Sequence, residues 1–362
     1  MKYRTEIDGL RALAVVPVIL FHAGFDLFSG GFVGVDIFFV ISGYLITSLI
    51  LYEIEEKKFS LLNFYKRRVR RLLPSLLVVM IVSLPFAWFF LVPRDLKDFG
   101  QSLVSVSTFS SNFLFWWESG YFDQAAELKP LLHTWSLALE EQFYIVFPLF
   151  LLVVWRLGFT WILIILLCFF LISLGLSEWV ARKVEDPKLI SAAFYMLPTR
   201  GWEFLIGIFV AFYLKSKGFV SSYSFNQVIS ILGIGMIIYS IIYFNKNTPF
   251  PSFYTLIPTL GTAFLIIGSI KGTLIYKLLT NKFLVGVGLV SYSTYLWHQP
   301  LLAFTRYTLS EVSDFLLIFI CLSSLCLGWI SYHYVETPFR DRSKTSTSLT
   351  VFLINKEELL FK

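Results

Sequence analysis

The chain has 362 residues, of which 57% are hydrophobic, 19% aromatic and only 15% charged, with a net charge of +6 and a mean hydropathy of +0.73. A soluble protein of this length needs far more polar surface, so the composition excludes a water-soluble domain and predicts an all-α polytopic membrane protein. The three cysteines (Cys168, Cys321 and Cys326) lie inside apolar runs and point to neither a disulfide framework nor a metal site.

Apolar runs long enough to cross about 30 Å of hydrocarbon fall near 10–29, 32–53, 73–93, 136–155, 158–178, 199–214, 225–244, 253–270, 283–305 and 313–335, which makes ten predicted transmembrane helices. The first carries Arg11 and lacks a small-residue cleavage site, so it is read as a retained span rather than a removable signal. The stretch 100–117 is rich in Ser, Thr and Asn and ends in a Trp pair; it is read as interfacial or re-entrant. With the N-terminus inside, ten spans put 21 of the 30 Lys and Arg on the inner segments and nine outside, so both termini are expected to be cytoplasmic. Residues 1–340 then form one transmembrane domain. Residues 341–362 form a short cytoplasmic tail, or a truncated extra span, because "LTVFLI" is too short to cross.

Ionisable side chains within spans are costly and mark functional positions. In the first span, "GLRALAVVPVILFHAGF", Arg11 and His22 are eleven residues apart, which at about 100° and 1.5 Å per residue puts them on one face and roughly 16 Å apart. Folding the second span back about Gly30 and Gly31 brings Asp36 close to the depth of His22, where a carboxylate would fix the imidazole tautomer and raise its basicity. A helix-packing histidine bonded to neighbouring backbone is the simpler alternative.

Next comes "FYKRRVRRLLP", residues 64–74. Arg67 with Arg70, and Arg68 with Arg71, are i,i+3 pairs that can share one helix face. Planar guanidiniums grip phosphate in a bidentate way, but a basic run also anchors topology against anionic lipid, and spacing does not decide between them. The run is too short, and too close to the membrane, to suit nucleic acid. In "HTWSLALEEQFY", residues 133–144, Glu140 and Glu141 enter a span side by side, so at least one is expected to face a polar cavity. "RGWEF" sets Arg200 and Glu203 at i,i+3, suited to a local ion pair or to a substrate. "SYSTYLWHQP" places His298 in the outer half of its span, ahead of Pro300, and His333 reads as an interfacial anchor. There is no Gly-rich phosphate loop, Cys/His metal spacing or GxSxG elbow, which leaves histidine and carboxylate to carry any chemistry.

These stretches, with "GGFVGVDIFFVISGYLITS" and the closing "ETPFR", resemble the acyltransferase-3 family of integral membrane acyltransferases, which O-acetylate bacterial surface polysaccharides. The resemblance runs from Tyr3 to about Arg340. It implies a multi-pass protein of the bacterial inner membrane, with acetyl-CoA as co-substrate, no permanently bound cofactor, and a polysaccharide or lipopolysaccharide sugar hydroxyl as acceptor. The family's Arg-x10-His motif corresponds to Arg11 and His22, its Arg-x-x-Arg motif to Arg68 and Arg71, and its glutamate motif to Glu140 and Glu141. With Asp36 added from the reading of the residues above, the candidate catalytic set is His22, Asp36, Glu140 and Glu141. The resemblance gives the acyl-CoA donor to Arg68 and Arg71; from the reading of the residues, Arg11, Arg67 and Arg70 join them as donor candidates, and Arg200, Glu203 and His298 are candidates for the acceptor. Many members continue past "ETPFR" into an extracytoplasmic SGNH hydrolase-like domain that this sequence lacks, so a stand-alone member or a truncated, inactive relative is expected. The rival reading is a transporter with a His/Asp/Glu proton relay.

Overall fold

A computed structural model describes residues 3–119, 126–220, 222–309 and 311–340; the predicted tail at 341–362 lies outside the described residues. In chain order the helices are α1 (Thr5–Ala23), α2 (Gly34–Glu55), α3 (Leu61–Phe90), α4 (Pro93–Ser107), α5 (Ser111–Trp117), α6 (Thr134–Val154), α7 (Phe159–Lys183), α8 (Pro187–Tyr195), α9 (Leu197–Lys217), α10 (Tyr223–Tyr243), α11 (Leu256–Gly268), α12 (Leu274–Leu279), α13 (Lys282–Thr308), α14 (Asp314–Ser331) and α15 (Thr337–Arg340). The described residues contain no strand. The helix starts follow from local chemistry. Ser60, Ser222, Asn281 and Ser313 accept hydrogen bonds from the first-turn N–H groups of α3, α10, α13 and α14, and Asp186 caps α8 ahead of Pro187.

Six helical runs are long and apolar enough to cross a membrane: Gly31–Glu55, Leu61–Phe90, Thr134–Leu157, Phe159–Lys183, Tyr223–Tyr243 and Asp314–Arg340. The chain is therefore a multi-pass membrane protein. The other four of the ten predicted spans fall on α1, α9, α11 and α13. α1 carries Glu6, Asp8 and Arg11, α9 carries Arg200 and Glu203, α13 carries a row of Ser, Thr, Tyr, His and Gln, and α11 has only 13 residues. Packing explains their polarity. α1 lies along α13 and α2 along α9, so polar side chains on these helices face protein. By contrast, the most apolar stretch of α7 is only 22% buried and that of Asp314–Arg340 only 28%, which leaves those helices peripheral.

The α2–α9 contact is backbone on backbone: a Cβ added at Gly207 would lie 2.0 Å from the Val40 carbonyl oxygen. Close approach through small residues is how helices associate where no hydrophobic effect drives them together. The predicted interfacial stretch 100–117 forms α4 and α5, broken at Phe109, whose φ is +53°. His333 sits in the π turn Tyr332–Glu336, with its ring 4.4 Å from Trp329. The three cysteines are free thiols.

Candidate active site

Two cavities lie along α1, one at each of its two signature residues. The first, about 110 Å³, is bounded by Arg11 of α1, Ser42 and its neighbours on α2, Arg68 and Arg71 of α3, Glu140 and Tyr144 of α6, and Tyr292 and Tyr295 of α13. Tyr144 donates to the Glu140 carboxylate at 2.8 Å and shares a hydrogen bond with the Ser42 hydroxyl at 3.0 Å. Arg11 pairs with Asp8 at 3.3 Å, and Asp8 in turn takes a hydrogen bond from the Tyr3 hydroxyl. Arg68 lies over the rings of Phe64 and Tyr144 at 5.5 and 5.6 Å. The Nε–H groups of both Arg68 and Arg71 are buried without a protein acceptor. Buried donors are normally satisfied, and an oxygen atom in this pocket, of water or of a ligand, would satisfy them.

The basic run divides around this pocket. Arg68 and Arg71 line it, whereas Arg67 turns away to pair with Glu53 at 2.8 Å, and Arg70 does not reach the wall. The two adjacent glutamates divide in the same way. Glu140 lines the cavity and Glu141 does not; Glu141 is buried with its Oε1 unpartnered.

The second cavity, about 310 Å³, is walled by Phe21, Phe32, Trp135, Phe194 and Phe250, with His22 and Arg200 as its interior polar groups. Its rim carries Asn245, Lys246 and Thr248, the first two of them solvent-exposed. Val35 and Tyr295 line both cavities.

The surroundings of His22 fix its protonation pattern. Nδ1 of His298 faces the Tyr295 carbonyl oxygen, which can only accept, so that nitrogen carries the hydrogen. In a neutral ring Nε2 of His298 is then an acceptor, and it lies 3.1 Å from Nδ1 of His22. His22 therefore donates through Nδ1 and keeps its Nε2 lone pair free, the arrangement a general base requires. Arg306 secures the end of α1 by donating to the His22 carbonyl at 2.6 Å.

Two sequence expectations are corrected by this geometry. Asp36 is not the partner of His22; its carboxylate pairs with Arg200 at 2.7 Å, and Glu203 lies 3.1 Å from Nε of the same guanidinium. All three side chains are fully or almost fully buried, and four aromatic rings (Phe39, Trp135, Phe194 and Phe250) surround the Arg200 guanidinium at 4.9–5.6 Å. His298, expected to face a substrate, lines neither cavity; it stands behind His22 as its hydrogen-bond partner. Asp36 and Glu203 also line neither cavity, so of the three residues expected at the acceptor only Arg200 reaches a cavity wall.

Three further residues join the site without having been singled out. The His133 ring packs 5.2 Å from Tyr295 and 5.3 Å from His298, with neither ring nitrogen hydrogen-bonded. The Tyr295 hydroxyl donates to the His133 carbonyl at 2.9 Å and pairs with Ser136 at 2.8 Å. Arg306 is the third. The available signal for the first two was their place within "HTWSLALEEQFY" and "SYSTYLWHQP"; Arg306, near the end of α13, gave none.

Comparison with known proteins places the chain in a family. The chain is 35% identical to the O-acetyltransferase OatA of Staphylococcus aureus over 356 residues, which cover 94% of this chain and 58% of that protein. It is 34% identical to the peptidoglycan O-acetyltransferase OatA of Listeria monocytogenes, with 94% and 56% covered. The chain thus spans somewhat more than half the length of these relatives. No solved structure matches it. The acyltransferase-3 model, described as an acyltransferase domain, matches residues 4–334, and with that match across nearly its whole length the chain belongs to the acyltransferase-3 family.

Proposed function

We propose that this protein is a membrane O-acyltransferase that moves an acyl group, acetyl by preference, from cytoplasmic acyl-CoA to a sugar hydroxyl of an extracytoplasmic polysaccharide. Peptidoglycan is the favoured acceptor, by analogy with the Listeria relative. The observation that carries the reading is that a single helix supplies Arg11 to one cavity and His22 to the other, and that the two cavities share Val35 and Tyr295. The 21-to-9 cation asymmetry favours the cytoplasm as the side of the Arg11 cavity.

On this reading the nucleotide end of the donor is held near Arg68 and Arg71, whose unpartnered N–H groups suit phosphate or carbonyl oxygen. The pantetheine arm runs along α1 and brings the thioester to His22. The acceptor sugar enters past Lys246 and lies against the aromatic walls. His22 Nε2 takes the hydroxyl proton as the sugar oxygen attacks the thioester carbonyl. The C–O bond forms, the C–S bond breaks, and the thiolate leaves with the proton from the imidazolium. Asp36 and Glu203 hold Arg200 in the wall rather than moving protons.

The test uses membranes containing the protein, acetyl-labelled acetyl-CoA and peptidoglycan fragments. His22→Ala should lose about 10²–10⁴-fold in transfer while the protein remains folded and membrane-bound. Equal transfer by wild type and variant would refute the assignment.

A further inference from the structure

The adjacent glutamates of α6 were grouped with His22 as acid–base candidates, yet the surroundings of Glu140 suit a different task. Among the described residues of the 110 Å³ cavity wall, Glu140 is the one carboxylate, and it shares that wall with Arg11, Arg68 and Arg71. The arginines do not engage it. Arg11 pairs with Asp8 at 3.3 Å, and the Nε–H groups of Arg68 and Arg71 have no acceptor. Tyr144 holds one oxygen of Glu140, Oε2, at 2.8 Å. The other, Oε1, has no hydrogen-bond partner among the described residues, and unlike Oε1 of Glu141 it is not sealed from the cavity. An ionised carboxylate can only accept hydrogen bonds, so a phosphate is the wrong neighbour for it and an N–H group the right one.

Depth along α6 identifies that N–H. His133, just before the helix, packs 5.3 Å from His298, the hydrogen-bond partner of His22, so the start of α6 is level with His22. Glu140 is seven residues further on and Tyr144 eleven, roughly 10 and 16 Å deeper at about 1.5 Å per residue. Arg68 lies over the Tyr144 ring at 5.6 Å, which puts the arginines at the deeper level. In an acyl-CoA the second amide nitrogen of the pantetheine arm, counted from sulfur, is eight bonds from the thioester carbonyl carbon, and the first phosphorus is fourteen. An extended chain covers about 3.3–3.6 Å for every three bonds, which gives roughly 9–10 and 15–17 Å. The two spacings agree. We infer that Glu140 is a donor-recognition residue whose Oε1 accepts the N–H of that second amide, with Tyr144 holding the carboxylate in place. It grips the arm and moves no proton. This inference rests on the acyltransferase reading, with the thioester at His22 and phosphate at Arg68 and Arg71.

The test compares acetyl-CoA with two analogues, in which the first or the second amide N–H of the arm is replaced by an ester oxygen, using one acceptor preparation. Wild type should lose about 10–100-fold in kcat/KM with the second-amide ester, the worth of one hydrogen bond to a charged group, through a higher donor KM and with kcat changed by no more than a few-fold. Glu140→Leu should suffer the same loss with acetyl-CoA, and should then use the second-amide ester as well as it uses acetyl-CoA. Any penalty from the first-amide ester should be equal in wild type and variant. Glu140→Gln, which keeps a carbonyl oxygen to accept the N–H, should lose less than Glu140→Leu, and with the wild-type comparison it carries the test if the leucine variant does not accumulate. A wild type indifferent to the second-amide ester, a Glu140→Leu variant that keeps the full ester penalty, or a Glu140→Gln variant whose kcat collapses would overturn the inference and leave the acyltransferase reading intact. A folded wild type that transfers no acetyl group from acetyl-CoA would overturn both.

Discussion

Replacing His298 with leucine separates holding the base from being the base. His298 lines neither cavity, so its removal takes nothing from donor or acceptor; what it removes is the acceptor 3.1 Å from His22 Nδ1. The His22 ring also bonds the Val18 carbonyl, so it is not left without an acceptor, and the loss is that of one neutral hydrogen bond, about 0.5–1.5 kcal/mol net. At about 1.4 kcal/mol per tenfold this corresponds to a drop of roughly 2- to 12-fold in the population of His22 with Nε2 free. The expected result for His298→Leu is therefore a fall in kcat within that range and unchanged KM for acetyl-CoA, well short of the loss on removing His22. His298→Gln, whose side-chain carbonyl can accept the same hydrogen, should recover part of the rate. The assay is steady-state acetyl transfer by purified protein in detergent, with kcat and KM resolved for both substrates. If His298→Leu is as inactive as His22→Ala, or raises KM for the acceptor alone, the tautomer argument fails and His298 contacts the reacting groups.

The arginines give a graded expectation. Arg68→Lys or Arg71→Lys keeps the charge but loses the planar fork and should raise KM for acetyl-CoA about tenfold, whereas Arg67→Lys, which can still pair with Glu53, should change it less than twofold. Full donor affinity in the first two variants would remove the phosphate role. Asp36→Ala strips Arg200 of its 2.7 Å partner and should destabilise the fold by about 3–5 kcal/mol, as breaking a buried pair does; an unchanged melting temperature in detergent would show that Glu203 alone suffices. Single cysteines placed at Lys246 and at Arg70 should label from opposite sides of intact cells, Lys246 from outside. Labelling of both from one side would break the proposed path from donor to acceptor.

What could be read from the sequence was what repeats along one helix. Arg11 and His22 lie on a common face because eleven residues make about three turns, and that arithmetic survives in the two cavities. The partner of His22 was not legible. Asp36 lies near in sequence, but its charge belongs to Arg200, 164 residues on, and no local pattern encodes which two helices touch. His298 looked like a substrate ligand because a histidine in a span draws attention, while the carbonyl that sets its tautomer is a property of the folded backbone. Hydropathy likewise does not say which helices meet protein: α1, α9 and α13 are absent from the six most apolar helical runs, though they line the cavities or flank them.

The distance along the chain between Asp36 and Arg200 also has a consequence during synthesis. α2 is made first, and at roughly 5–20 residues per second the ribosome needs about 8–30 s to supply Arg200. Through that interval the growing chain holds an acid in hydrocarbon with no guanidinium to meet it, at about 2.5–3.5 kcal/mol on insertion scales. α9 arrives under the same handicap, carrying Arg200 and Glu203 in its apolar stretch. α2 is apolar enough to cross alone, but α9 is not among the runs that are, so α9 settles against α2, and the integrity of the second cavity is decided late, when α9 docks. A nascent chain stalled before residue 197 keeps every apolar span made up to that point and lacks Arg200, which makes that interval the vulnerable one for degradation of unfinished molecules.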